Sequence, residues 1–110
     1  MLLPNAKFAV IDIVKLRDYS LNLDHDTGKH KARKFKAVLG MTQANAEDLR
    51  QILLRVVKTH EAKPFTNDEY GQRYRVDFVL EWQGKEAIVR SGWIIEHGQT
   101  MPRLTSCYVL

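Results

Sequence analysis

At Pro64 the hydrophobic period of this chain switches, and that switch restricts the available folds more than any other feature. Before it, Ala46, Leu49, Ile52, Leu53, Val56 and Val57 recur at three- and four-residue spacing. They form one apolar stripe and predict a helix that starts at a cap on Thr42 or Asn45 and runs to about His60. After it, Tyr74, Val76, Phe78, Leu80 and Trp82 alternate with Arg73, Arg75, Asp77 and Glu81. A period of two with one apolar face predicts a half-buried strand. A chain written first in one period and then in the other cannot interleave strands and helices as βαβ units. It predicts an α+β domain, with N-terminal helices packed on a C-terminal antiparallel sheet of three to four strands.

The remaining elements follow the same logic. Residues 8–13 fit a short strand or the lead-in to a helix, and Val14 to Leu21 fits a short helix. Asn22 to Gly28 carries turn chemistry. From Lys29 a helix is expected with Ala32, Phe35, Val38 and Leu39 inward, stopped by Gly40. Gln83-Gly84-Lys85 reads as a hairpin turn. Glu86 to Glu96 is apolar on both faces and so belongs at the centre of the sheet. Arg103 to Leu110 is a further strand, barred from helix by Pro102. At 110 residues one domain spanning 1–110 is expected, enough chain for a single core. No apolar run approaches the roughly 20 residues of a membrane span, and the N-terminus lacks the pattern of a secretory signal, so a cytoplasmic protein with no membrane partner is expected.

Charge is concentrated in one place. The formal net charge is +4, yet between Asp26 and Glu47 there is no acidic residue, while Lys29, Lys31, Arg33, Lys34 and Lys36 supply five cations around His30. That block accounts for the whole excess and points to a phosphate-facing element. On the expected helix Lys31 falls at the edge of the inward face, whereas His30, Arg33 and Lys34 point outward. Two placements are open to Lys31. Its stem snorkels over the core, or its ammonium projects into a cleft between helix and sheet, where it can hold a phosphate. Neighbouring cations disfavour protonated His30, which suits a general base near neutral pH. His25, His60 and His97 lie at turns or helix ends and carry no functional expectation.

On the strands, Arg73 and Arg75 share a face of the first, Arg90 and Ser91 lie mid-way along the second, and Arg103 and Thr105 open the third. Polar groups in a sheet need partners or solvent, so these residues outline a basic, hydroxyl-bearing surface or a solvated outer face. Gly92, between Ser91 and Trp93, marks close approach by a ligand or another backbone. Tyr70 places a phenol at the rim of the sheet. No metal site is expected: Asp24, His25, Asp26 and His30 match neither a zinc nor a calcium-loop spacing. Cys107 has no partner motif and reads as a packed residue. The chain holds no phosphate-binding glycine loop, nucleophile elbow or dinucleotide fingerprint, and no cofactor is expected.

Several runs carry a resemblance: Tyr19-x-Leu21-Asn22, Gly28-x-His30-Lys31-Ala32-x-x-Phe35, Leu39-Gly40, Glu69-Tyr70-Gly71-Gln72-x-Tyr74, Ser91-x-Trp93-Ile94 and Pro102-Arg103-Leu104-Thr105. Their order resembles a small bacterial domain family that is similar to the C-terminal toxin domains of contact-dependent and polymorphic toxin systems. Those domains resemble the ribonuclease fold shared by barnase, EndoU, colicins E5 and D, and RelE. The resemblance covers nearly the whole chain. It implies helices followed by about four antiparallel strands, with a site where helix meets sheet. Carried over residue by residue, it implies catalytic roles for His30, Lys31, Tyr70, Ser91, Arg103 and Thr105.

The expectation that follows is a metal-independent endoribonuclease toxin. RNA would be held by Lys29, Arg33, Lys34, Arg73, Arg75 and Arg90, with Trp93 stacked on a base. His30 or a strand residue would activate the ribose 2′-hydroxyl, Lys31 and Arg103 would stabilise phosphoryl charge, and Thr105, Ser91 and Tyr70 would orient the phosphate. An acidic antitoxin or immunity protein is the expected protein partner. The alternative is a non-catalytic module that uses the same basic cleft to bind RNA or protein.

Overall fold

The computed structural model describes residues 1–110. Helical segments come first and a four-stranded antiparallel sheet follows, an α+β fold with sheet order β1-β2-β3-β4. The strands are β1 (Lys63–Asn67), β2 (Gly71–Trp82), β3 (Lys85–Glu96) and β4 (Arg103–Val109). Gln83 and Gly84, with φ of 48° and 81°, close the β2–β3 hairpin as a two-residue turn whose twist matches the strands. β3 is paired on both sides, as its two apolar faces require.

β1 has no counterpart in the alternating pattern. All five of its residues are exposed, it contains Pro64, and a register irregularity interrupts its pairing with β2. An edge strand tolerates a residue without a backbone N–H, and with no buried face it leaves no period-two signature.

Two α-helices carry most of the helical layer, α1 (Lys29–Lys34) and α2 (Ala46–Val56). α1 runs on into a π-wound turn, Phe35–Leu39, and an earlier π-wound turn spans Lys15–Ser20. The wider winding explains one departure from expectation. Phe35 and Leu39 remain buried, but Val38, expected inward, is 37% exposed. A π turn advances each residue by less than 100°, so Val38 is carried toward solvent while Leu39 stays over the core. Gly40, at φ 72°, ends the run as a left-handed cap. α2 buries Ala46, Leu49 and Leu53 and stops at Val56, one turn short of the expected end.

One face of the sheet meets these helices. Tyr74, Val76 and Phe78 of β2 stand opposite Trp93, Ser91 and Val89 of β3, and Cys107 and Val109 of β4 complete the layer. Leu16, Phe35, Leu39, Leu49 and Leu53 pack on it from the helices. The opposite face, with Asp77, Val79 and Ile88, is open to solvent.

The N-terminal segment is tied to the far edge of the sheet. The Val10 N–H donates to Pro102 O at 2.8 Å and the Leu104 N–H to Val10 O at 3.0 Å, a parallel bridge after a single 3₁₀ turn at Ala6–Phe8. It brings the turn Lys15–Ser20 against β4.

Candidate functional site

The ladder between β3 and β4 slips by one residue. Gly92 faces Ser106 and Trp93 faces Leu104, which leaves Thr105 as an inserted residue. In a regular strand Thr105 and Ser106 would point to opposite faces. The bulge lets both hydroxyls lie over Gly92, where a Cβ would come within 3.0 Å of Thr105 Oγ1 and 2.6 Å of Ser106 Oγ. Neither hydroxyl has a hydrogen-bond partner within the chain. The close approach that Gly92 marks is therefore that of the neighbouring strand's side chains.

These hydroxyls line one wall of a cavity of about 650 Å³. Asp12, Val14, Lys15, Asp18 and Tyr19 form the opposite wall, and His25 and Lys31 close it. The π-wound turn Lys15–Ser20 supplies three of these residues, a placement typical of such turns at functional sites.

Lys31 is the cation of the cavity that α1 contributes. Its Nζ lies 5.3 Å from the Tyr19 ring centroid and 4.9 Å from that of Tyr108, so the ammonium sits near two aromatic faces. It makes no salt bridge and remains available to an anion. Of the two placements open to Lys31 in the sequence, this geometry is the cleft. Burial pushes the Cys107 thiol up to about 12, with the nearby Lys31 ammonium pulling the other way, so Cys107 is a packed, unreactive thiol.

Carboxylates stand across the cavity. Asp18 receives the Arg17 guanidinium through two hydrogen bonds, at 2.8 and 2.9 Å, and this contact holds its carboxyl below the usual range. Asp12 accepts only the Val14 N–H, at 3.0 Å, and has no cationic partner.

His25 is held by the loop that leads into α1. Its Nδ1 accepts the N–H of Gly28 at 3.0 Å and of Thr27 at 3.1 Å, and its ring meets Tyr19 edge-on with centroids 4.7 Å apart. Gly28 allows this closure, since a Cβ there would lie 2.5 Å from Tyr19 O.

The cavity brings together two of the residues singled out in the sequence, Lys31 and Thr105. His30, Arg33 and Lys34 sit on the exposed face of α1, with Lys29 half-buried, all outside the cavity lining. Tyr70 is 62% exposed at the start of β2 and also lies outside it.

Ser91 is a structural group. It is fully buried, its Oγ–H donates to Val76 O at 2.8 Å, and it accepts the Trp93 Nε1–H at 2.9 Å. Trp93 is the largest fully buried side chain and offers no face to a base.

The strand arginines do not form a basic surface, because most are paired. Arg73 meets Asp68 at 2.8 Å, Arg90 meets Asp77 at 2.9 Å, and Arg103 meets Glu96 at 3.3 Å. Arg75 stacks over Phe65, 5.8 Å from its centroid.

No three His, Cys, Asp or Glu side chains gather where a metal ion could be held. No helix is long and apolar enough to cross a membrane.

Asp12, Val14, Lys15, Asp18, Tyr19, His25 and Ser106 are cavity residues that carried no functional expectation in the sequence. Tyr19 lies in one of the runs that carry the family resemblance, and His25 stands four residues ahead of a helix start. No sequence signal marks the bulge.

The fold is shared with a chain from a contact-dependent growth inhibition toxin–immunity protein complex of Klebsiella pneumoniae 342. The match has a TM-score of 0.68 and 15% sequence identity over 92% of this chain and 99% of that one. No curated protein sequence matches. The sequence itself fits a family model across residues 2–110, and the chain belongs to that family, a domain of unknown function (DUF6883).

Proposed function

We propose that this domain is a toxin that cleaves RNA in the cavity between α1 and the β4 bulge. One observation carries the reading: an unpaired ammonium, Lys31, and two unpartnered hydroxyls, Thr105 and Ser106, line the same cavity from opposite elements. Cation and hydroxyl donors converging on one volume suit the phosphoryl oxygens of a phosphodiester. The fold shared with a chain of a toxin–immunity protein complex supports the toxin role.

In this reaction the ribose 2′-oxygen attacks the adjacent phosphorus and displaces the 5′-oxygen. The O2′–P bond forms, the P–O5′ bond breaks, the 2′-hydroxyl proton goes to a base, and the departing oxygen takes one up. The products are a 2′,3′-cyclic phosphate and a 5′-hydroxyl. Lys31 stabilises the charge that builds on the non-bridging oxygens, and Thr105 and Ser106 fix their orientation. Asp12, a cavity carboxylate without a cationic partner, accepts the 2′ proton. The outward cations Lys29, Arg33, Lys34 and Lys36 steer the RNA backbone to the mouth. An acidic immunity protein covering the same cations would block access.

One observation favours a second reading, a non-catalytic module that binds RNA or protein. Much of the basic block faces solvent outside the cavity, and none of its cations forms a salt bridge. Purified wild-type protein and Lys31→Ala, each incubated in EDTA with total bacterial RNA and with tRNA, separate the two. A nuclease gives discrete products with the wild type and a loss of about 10²-fold or more in the variant. Intact RNA with both proteins, accompanied by salt-sensitive binding, turns the assignment to the module.

A further inference from the structure

His25 occupies two environments at once. Its carbonyl accepts the Lys29 N–H at 2.9 Å and its Nδ1 accepts the N–H groups of Thr27 and Gly28, so it closes the turn that leads into α1. Those two N–H groups point at Nδ1, so that atom carries a lone pair and the ring proton resides on Nε2. Nε2 has no hydrogen-bond partner within the chain, and the ring lines the cavity with Lys31 and Thr105.

We infer that His25 is a further catalytic residue: a fixed hydrogen-bond donor that directs Nε2–H to a phosphoryl oxygen of the RNA held in the cavity. This role rests on the RNA-cleaving reading above and adds to it a third kind of donor beside the ammonium and the hydroxyls.

The chemistry restricts what His25 can do. A neutral imidazole with its proton on Nε2 can donate a hydrogen bond but cannot lose that proton without becoming imidazolate. To act as a base through Nδ1 it would have to abandon the two backbone N–H groups of the turn that precedes the helix. The turn thus fixes both the tautomer and the aim of the ring. The edge-on Tyr19 ring restricts its rotation, and Gly28, without a Cβ, lets the loop close against Tyr19 O. A donor held in place before the reaction costs no reorganisation during it, which is the condition for strong transition-state stabilisation.

Turn closure and donation separate experimentally. In His25→Asn the amide oxygen would replace Nδ1 as the acceptor of the turn N–H groups, while nothing would replace Nε2–H. The rates of tRNA cleavage in EDTA and the thermal midpoints are compared for wild type, His25→Asn and His25→Ala. The expected result is an unchanged midpoint and about a 10²-fold lower kcat for His25→Asn, and a loss of both for His25→Ala. His25→Asn cleaving within about threefold of wild type would overturn the inference, because that is below the cost of losing one such donor.

A second measurement does not depend on any variant folding. In ¹⁵N-histidine-labelled wild type, long-range ¹H–¹⁵N spectra should show the proton on Nε2. That resonance should shift on addition of a 2′-deoxy oligonucleotide, which cannot be cleaved. A proton on Nδ1, or an Nε2 signal indifferent to the oligonucleotide, would also overturn it. If wild type neither cleaves nor binds RNA, the RNA-cleaving reading falls and takes this inference with it, a result told apart by the absence of any wild-type rate.

Discussion

Ser91 separates what a residue type suggests from what its surroundings make it do. A serine in the middle of a central strand was open to reading as a group aimed at substrate. In the fold its Oγ bridges the Val76 carbonyl and the Trp93 indole inside the core. Ser91→Ala should therefore cost stability, by about 1–3 kcal/mol, since two buried polar groups lose their partner. Urea unfolding followed by tryptophan fluorescence would measure it, and RNA cleavage at a temperature where the variant is folded should match wild type. Lys31 was legible for the opposite reason. The helical wheel put it at the rim of the buried face, from which a long cationic side chain reaches a neighbouring element. His25 was not legible, because its ring is aimed by two backbone N–H groups whose direction is set only when the loop closes on Tyr19.

Among the elements, α2, β2 and β3 could be read from the sequence because each buries one continuous stripe or row against the core. β1 could not, since none of its residues is buried and pairing by backbone alone leaves no side-chain pattern. The π-wound turns were hidden as well: an apolar stripe fixes the inward face of a helix but not the number of residues in each turn. The bulge in β4 was invisible for a similar reason, since one inserted residue between Leu104 and Ser106 looks like ordinary strand. Removing Thr105 should restore an uninterrupted ladder, with Leu104 and Cys107 keeping their core positions. We expect this deletion to leave the urea midpoint unchanged or raised, while the proposed cleavage falls by about 10²-fold as one hydroxyl is lost from the cavity.

For the molecule as a whole, electrostatics is divided between a paired half and an unpaired half. The sheet holds its charges in contacts such as Asp68 with Arg73 and Asp77 with Arg90, while α1 leaves its cations free. The arginine hydrogen bonds hold the Asp68 and Asp77 carboxyls below their usual range, and Arg50 brings Glu47 down to about 2. A carboxyl depressed in the folded state contributes stability that is complete above its unfolded pKa and is lost as pH falls through the folded one. Unfolding free energy should therefore be flat from about pH 5 to 7 with respect to these groups and decline below about pH 4. Urea titrations at a series of pH values would check this, and a decline beginning above pH 5 would point to other groups. The cavity, finally, draws its walls from distant parts of the sequence, the helical wall from residues 12–31 and the hydroxyl wall from β4, which follows every other element in chain order. During synthesis the basic helix leaves the ribosome long before the strand that completes the site. On the RNA-cleaving function proposed above, the nascent chain would carry RNA-attracting charge beside the most abundant RNA in the cell before the means to cut it is assembled, a delay that would protect the machinery making it.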